Sequence, residues 1–232
     1  ALDAEEFFLR LSRRLIGVLD EPDANGRVFR VDARLRPFGG SGPLALSFDA
    51  MEDYYQNHGR DWERYALIKA RPVAGDLAAG ERLLQRLRPF VFRRYLDFGA
   101  IDALRAMKAL IVEQVRRDGL QDHVKLGAGG IREVEFIGQV HQLIRGGREP
   151  DLRCRGIRQV LRLLGERGQL PAQDAAELLD AYAFLRRLEN RLQMLDDRQT
   201  HQLPADPLDR ERLALAMDYP DWERCAGALA DW

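Results

Sequence analysis

The chain has 232 residues, enough for one large domain or two small ones, and its 36 Lys and Arg against 37 Asp and Glu leave a net charge of −1. A chain so close to neutral has no bulk electrostatic pull toward nucleic acid or an anionic membrane, and no stretch approaches the ~18 consecutive apolar residues of a transmembrane helix. Two cysteines far apart, Cys154 and Cys225, and four scattered histidines lack metal-type spacing, which argues against zinc and makes a reducing, cytoplasmic setting the default.

The opening ALDAEEFFLRL has no basic leader followed by an apolar run, so no secretory signal is expected. Residues 3–20 read as an amphipathic helix. Phe7, Phe8, Leu11, Leu15, Ile16 and Leu19 recur at three- and four-residue steps, with Arg10, Arg13 and Arg14 outward. Pro22 and the Asn25-Gly26 pair end it.

The next segment, RVFRVDARL, alternates with period two. Val28, Arg30, Asp32 and Arg34 fall on one face, and Phe29, Val31, Ala33 and Leu35 on the other. Pro37 stops the predicted strand, and Gly39, Gly40, Ser41 and Gly42 follow as a backbone able to approach a ligand closely. An acid on a strand, flanking arginines and a glycine turn suit a metal–phosphate site. The same residues also read as an ordinary edge strand, with Asp32 neutralised by Arg30 or Arg34. A lone strand is not stable in water, and few partner strands are legible downstream.

Ser47 or Asp49 caps a helix running to about Gly59, and Asp61 opens DWERYALIKARPV, with Trp62, Tyr65, Ala66 and Ile68 or Lys69 on one stripe. Lys69 and Arg71 at its end either offset the helix dipole or reach back toward the strand. From Asp76 onward the pattern is helical. It includes an apolar stretch interrupted at Pro89 and a periodic helix carrying Ile101, Leu104, Met107, Leu110, Ile111 and Val115, closed by Asp118-Gly119. The second unusual stretch is VKLGAGGIREVEF, where Lys125 precedes Gly127, Gly129 and Gly130 and a helix begins near Ile131. A glycine-rich entry to a helix N-terminus is an anion-site pattern, although neither the GxxxxGK[ST] order nor the dinucleotide fingerprint is present. Glu133 and Glu135 diverge by roughly 200° on a helix, which argues against a shared metal. Further helices are expected over 157–164, 172–195 and 209–217. In the long one Arg186, Arg187, Glu189 and Arg191 read as the wet face. The chain stops at LADW in mid-pattern, so both ends read as cut from something longer.

The words FRVDARLRPFGGSGPLALSF, GRDWERYALIKARPVAG, VFRRYLDFGAIDALR, VKLGAGGIREVEFIGQVHQLIRGG and FLRRLENRLQ followed by LPAD come in this order. Together they resemble the bifunctional glutamine synthetase adenylyltransferase/adenylyl-removing enzyme family across essentially the whole chain. The resemblance implies two nucleotidyltransferase-like halves, the C-terminal one attaching AMP to a tyrosine of glutamine synthetase. The N-terminal half removes that AMP by phosphorolysis, yielding ADP. LGAGGIREVEF and LRPFGGSGPL are closer to the N-terminal half's versions. The implied fold is α+β and mostly α: residues 1–75 as an incomplete nucleotidyltransferase-like α/β domain, and residues 76–232 as a helical bundle truncated at its C-terminus.

The family's metal site uses an Asp-x-Asp pair and a third acid on a later strand. Asp32 matches the third, and no Asp-x-Asp occurs in this chain. The resemblance therefore implies Mg²⁺, phosphate, and ADP or ATP as ligands of the whole enzyme, with the 232-residue chain catalytically incomplete. Arg34 and Arg36 become candidates for stabilising negative charge, and Lys125, Gly129, Gly130 and Arg132 for receiving phosphate or nucleotide. Glu133, Lys69 and Arg71 are supporting candidates. Implied partners are glutamine synthetase, the PII signalling protein and the C-terminal adenylylating half, with no nucleic acid and no membrane. Two other readings stay open: a non-catalytic helical interaction module from about Asp76 onward, and the adenylylating half.

Overall fold

A computed structural model describes residues 3–24, 26–94, 98–117, 119–120, 122–195 and 199–231, excluding the side chains of residues 98–101, 103, 104, 107, 111 and 114. Asn25, Tyr95, Asp118 and the side chains of Ile101, Leu104, Met107 and Ile111 thus lie outside the described residues. The chain forms two compact units, Ala1–Arg93 and Arg94–Trp232.

The first unit contains α1 (Ala4–Asp20), α2 (Phe48–Asn57), α3 (Asp61–Leu67) and α4 (Leu77–Val91). Ser47 caps α2 by accepting from the Ala50 N–H, and Asp76 caps α4 by accepting from that of Ala79. The core is small and aromatic: Tyr54 and Tyr55 of α2 pack against Leu83 and Leu87 of α4, with Met51, Leu67 and Phe90 at its margin. Because α4 supplies half of this core, it belongs to the first unit, although the sequence suggested a boundary near residue 75. The helix also continues through Pro89, where the sequence pattern suggested a break. Pro89 falls in the last turn, where the missing N–H deprives only the Gln85 carbonyl.

Among the described residues there is no β-strand, only the isolated bridges Asp23–Gly26 and His123–Gln202. The expected strand over residues 27–35 is irregular chain, and Val28, Phe29 and Leu35 are exposed. The alternation is real in sequence, but a strand needs a neighbour to take its ladder hydrogen bonds. What holds the segment is α1: the Phe29 N–H donates to the Leu19 carbonyl (2.8 Å) and that of Val31 to an Asp20 oxygen (3.1 Å). The β part of the α+β expectation therefore finds no support among the described residues; the fold is mostly helical.

The second unit comprises α5 (Phe98–Arg117), α6 (Ile131–Arg145), α7 (Ile157–Glu166), α8 (Ala172–Met194), α9 (Pro207–Ala216) and α10 (Trp222–Ala230). Ile131 and Val134 of α6, Val160, Leu161 and Leu164 of α7, Leu185, Leu188 and Leu192 of α8, and Leu213 and Met217 of α9 form one core. Each such burial is worth roughly 1.5–3 kcal/mol. Gly138 lets α6 and α7 approach, since a Cβ there would run into the Ile157 side chain. The final helix α10, capped by Asp221, was not legible as a separate element.

Candidate functional site

In the first unit, Asp32 accepts from Arg34 alone four times: from its backbone N–H at 2.9 Å, and from its guanidinium at 3.0, 3.1 and 2.7 Å. This fork holds the Asp32 carboxyl at about 2, below its ordinary 3.8, with the side-chain hydrogen bonds from Arg34 as the largest cause. Both residues are exposed. Of the two readings left open by the sequence, the neutralised aspartate is the one this geometry matches.

Arg36 is used differently. Its guanidinium donates to the carbonyls of Ala33 (2.7 Å), Gly40 (3.0 Å) and Gly42 (3.0 Å), so it staples the glycine turn to the segment before it. The turn itself is a 3-10 helix, Gly39–Ser41, entered through Phe38 at φ 61 and Gly39 at φ 59. Gly42 follows in extended conformation, where a Cβ would strike the Pro37 carbonyl. The Phe38 ring meets Tyr54 of α2 edge-on at 4.5 Å, which anchors the turn. Tyr54 in turn donates to buried Glu63 (2.8 Å), whose other oxygen accepts from the Arg60 N–H (2.8 Å). In α3 Glu63 and Arg64 are buried as well, and of the expected stripe Trp62 is exposed, Tyr65 and Ala66 are half-buried and Ile68, just past the helix, is buried. The Arg64 guanidinium reaches the Phe90 and Val91 carbonyls at the end of α4 and satisfies that terminus. Lys69 and Arg71 lie beyond α3, which ends at Leu67, so neither sits in its final turn.

In the second unit, residues 123–130 form the entry to α6. Ile131 N–H donates to the Val124 carbonyl (3.1 Å), Arg132 N–H to that of Lys125 (2.9 Å) and Glu133 N–H to that of Gly130 (2.9 Å). The N-terminal donors expected to meet an anion are therefore satisfied within the protein. Glu133 completes this arrangement: one carboxylate oxygen accepts from the Gly129 N–H (2.7 Å) and the other pairs with Lys108 of α5. Burial opposes its charge, but the Lys108 ammonium and the Gly129 N–H together hold its carboxyl below the usual range. Gly129 takes φ +70, and a Cβ on Gly130 would lie 2.7 Å from the Val124 carbonyl oxygen, so the glycines serve a tight turn.

Lys125 and Arg132 remain the cations flanking this turn. Beside Gly129 and Gly130 opens a cleft of about 420 Å³, whose walls include His123, Arg210 and Trp222. Arg210 lies over the Trp222 ring, 5.5 Å from its centroid. His123 stacks on His201 at 5.1 Å, and His201 Nε2 lies 2.9 Å from buried Glu189. Glu189 also accepts from Arg186 (2.6 Å), which extends to Glu135 (3.1 Å). Glu133 and Glu135 thus point to different partners. The wet-face reading of Arg186 to Arg191 is corrected: Glu189 is 6% exposed, and α8 turns part of its polar face inward. This network escaped the sequence reading because its members are scattered from 123 to 201, and only the Arg186-Arg187 run hinted at it.

Among the described residues no three His, Cys, Asp or Glu group to hold a metal ion. Both Asp32 oxygens accept from Arg34, so the described residues do not by themselves fit a Mg²⁺ site.

Two family models divide the chain: glutamate-ammonia ligase adenylyltransferase matches residues 1–86, and GlnD PII-uridylyltransferase matches residues 105–230. A bifunctional glutamine synthetase adenylyltransferase/adenylyl-removing enzyme from Nitrosococcus oceani is 63% identical over 99% of this chain. Proteins of the same name from Stenotrophomonas maltophilia and Thioalkalivibrio sulfidiphilus are 60% and 59% identical, each over 99% of it. The chain belongs to this adenylyltransferase/adenylyl-removing enzyme family. It spans about a quarter of the length of these relatives, 24–25% of each. The boundary between the two matching models, 86 to 105, brackets the boundary between the two compact units at Arg93. No helix among the described residues is long and apolar enough to cross a membrane.

Proposed function

We propose that this chain is part of the half of the enzyme that removes AMP from glutamine synthetase, in the cytoplasm. A phosphate oxygen attacks the phosphorus of adenylyl-tyrosine, the bond from phosphorus to the tyrosine oxygen breaks, ADP forms, and the tyrosine oxygen takes up a proton. The observation that carries the reading is the identity to relatives that bear both activities in their name. The choice of the removing half rests on the words LGAGGIREVEF and LRPFGGSGPL.

In this reading Arg34 is the exposed guanidinium that meets charge developing on the transferred phosphoryl group. Asp32 orients it, and Arg36 keeps the glycine turn rigid beside it. In the second unit, taken by itself, Lys125 and Arg132 are cations that bind phosphate or nucleotide through side-chain charge rather than through the α6 backbone. Lys69 and Arg71 add positive charge in the first unit. A Mg²⁺ site at Asp32 needs further oxygen ligands. Partners of the whole enzyme are then glutamine synthetase, PII and the adenylylating half.

The test uses a protein of the relatives' full length, with and without Asp32→Asn, and follows phosphate-dependent ADP release from adenylylated glutamine synthetase. Loss of release in the variant with retained folding supports the reading. ATP-dependent adenylylation without added phosphate, and no ADP release, would assign the chain to the adenylylating half. The fully engaged Asp32 specifically favours a second reading, a helical interaction module. PII or glutamine synthetase binding to the chain, unchanged by Asp32→Asn in a protein with normal ADP release, would favour it.

A further inference from the structure

A second cleft of about 420 Å³ opens between α7 and α8, and its walls are Arg158, Tyr182, Ala183, Arg186, Arg187, Asn190 and Arg191. Four arginines line it, and no carboxylate does. Residues 183, 187, 190 and 191 fall on one face of α8, and Arg158 comes from α7, so the cluster is built by helix packing rather than by a flexible tail. Ala183 is the small residue that leaves the space open.

The four guanidinium groups are not equivalent. Arg186 is neutralised by Glu135 and Glu189, and its Nε donates to the Tyr182 hydroxyl (3.0 Å). Arg187 donates to the Met217 carbonyl (3.0 Å) and meets exposed Asp218 at 3.4 Å. Among the described residues neither Arg158 nor Arg191 pairs with a carboxylate, and the Arg191 Nε is buried without an acceptor. A buried donor left unpaired costs free energy, and converging cations repel one another. An anion in the cleft offsets the repulsion and offers acceptor oxygens to the guanidinium groups that line it.

We propose that this cleft binds a small phosphorylated ligand carrying two or more phosphate groups. Guanidinium forks match phosphate oxygens in pairs, which ammonium groups do not, and this cleft is lined by arginine alone among cations. Its volume falls within the usual range for small-molecule sites, roughly 300–1,000 Å³, which suits a ligand larger than a single phosphate. The proposal uses none of the residues assigned to AMP removal and is independent of that reading.

The probe is inorganic pyrophosphate, titrated calorimetrically into the 232-residue chain without glutamine synthetase. Saturable binding is expected, with Arg158→Ala and Arg191→Ala each weakening it about tenfold or more. Arg191→Lys, which keeps the charge and loses the fork, falls between. Arg212→Ala, on an exposed arginine paired with Asp209, leaves affinity unchanged. Circular dichroism verifies folding, and if Arg191→Ala fails to fold, exposed Arg158 decides the question. Absence of pyrophosphate binding, binding indifferent to Arg158→Ala, or binding only of long polyanions would overturn the proposal.

Discussion

Arg34 closes a fork on Asp32, with Nε 3.0 Å from Oδ1 and Nη2 2.7 Å from Oδ2. The partners are two residues apart, so the pair is local and forms without help from distant chain. Replacing Arg34 with Ala removes its chief cause, and the Asp32 carboxyl is expected to rise from about 2 toward 3.8. A carbon-detected NMR titration reads this directly; an unmoved midpoint would show that Arg34 does not hold the charge. Because the carboxyl is depressed, the pair favours folding at neutral pH and loses that effect as pH falls through about 2. Its exposure and salt screening keep the effect small.

Glu133 closes the α6 entry by reaching back to Gly129 and across to Lys108. Glu133→Gln keeps the shape and removes the charge, so a loss of about 1 kcal/mol is expected at pH 7 from urea unfolding. The Glu133 carboxyl is depressed in the folded chain, so its contribution is present above its ordinary 4.5 and fades as pH falls through the folded value. The gap between parent and variant should therefore narrow at low pH. A gap independent of pH would assign the loss to packing.

Glu189 is buried between Arg186 and His201. Glu189→Ala leaves the half-buried Arg186 guanidinium with Glu135 as its remaining carboxylate and His201 without one, and should cost about 1–3 kcal/mol, measured as a shift in the denaturation midpoint. A cost below that of a typical exposed pair would mean that water replaces the carboxylate freely.

His123 and His201 stack nearly parallel, at 13°. Burial is the largest cause that lowers both, with Lys125 adding to the effect on His201 and against the opposing pull of Glu189. The unfolded chain therefore binds protons more readily, so stability is full above about 6.5 and declines as pH falls toward the folded values. Replacing His201 with Gln should flatten that decline in a thermal-melting series between pH 7.5 and pH 5, a window chosen to span the ordinary histidine range. An unchanged slope would place the pH sensitivity elsewhere.

Leu188 is fully buried in the core of the second unit, whereas α1 buries none of its residues. Leu188→Ala should cost about 3 kcal/mol, and Leu11→Ala on the exposed face of α1 under about 0.5 kcal/mol. Comparable losses from denaturant unfolding would mean that α1 is packed in solution.

Helical periodicity, with cap and glycine signals at α2 and α6, located α1, α2, α3, α5, α6, α7, α8 and α9, because an apolar stripe at three- and four-residue steps has few other ways to be buried. The five words from FRVDARL to FLRRLENRLQ, taken together and in order, were likewise enough to name the family. Local sequence also held the Arg34–Asp32 pair as one of its readings, since two residues suffice to make it.

What the tertiary structure alone decided is what these words do once packed. Period-two alternation over 27–35 does not become a strand without a neighbour to take its hydrogen bonds. The α6 N-terminus, an anion site by pattern, has its donors filled by Val124, Lys125 and Gly130 carbonyls, an outcome that depends on how the glycine turn folds back. Glu63, Arg64 and Glu189 are charged in sequence and buried in the fold, since pairing with partners as distant as residues 90 and 201 makes their burial tolerable. The arginine cleft between α7 and α8 belongs to the same class. Arg158 lies nearly thirty residues from Arg186, and only helix packing brings them to one wall.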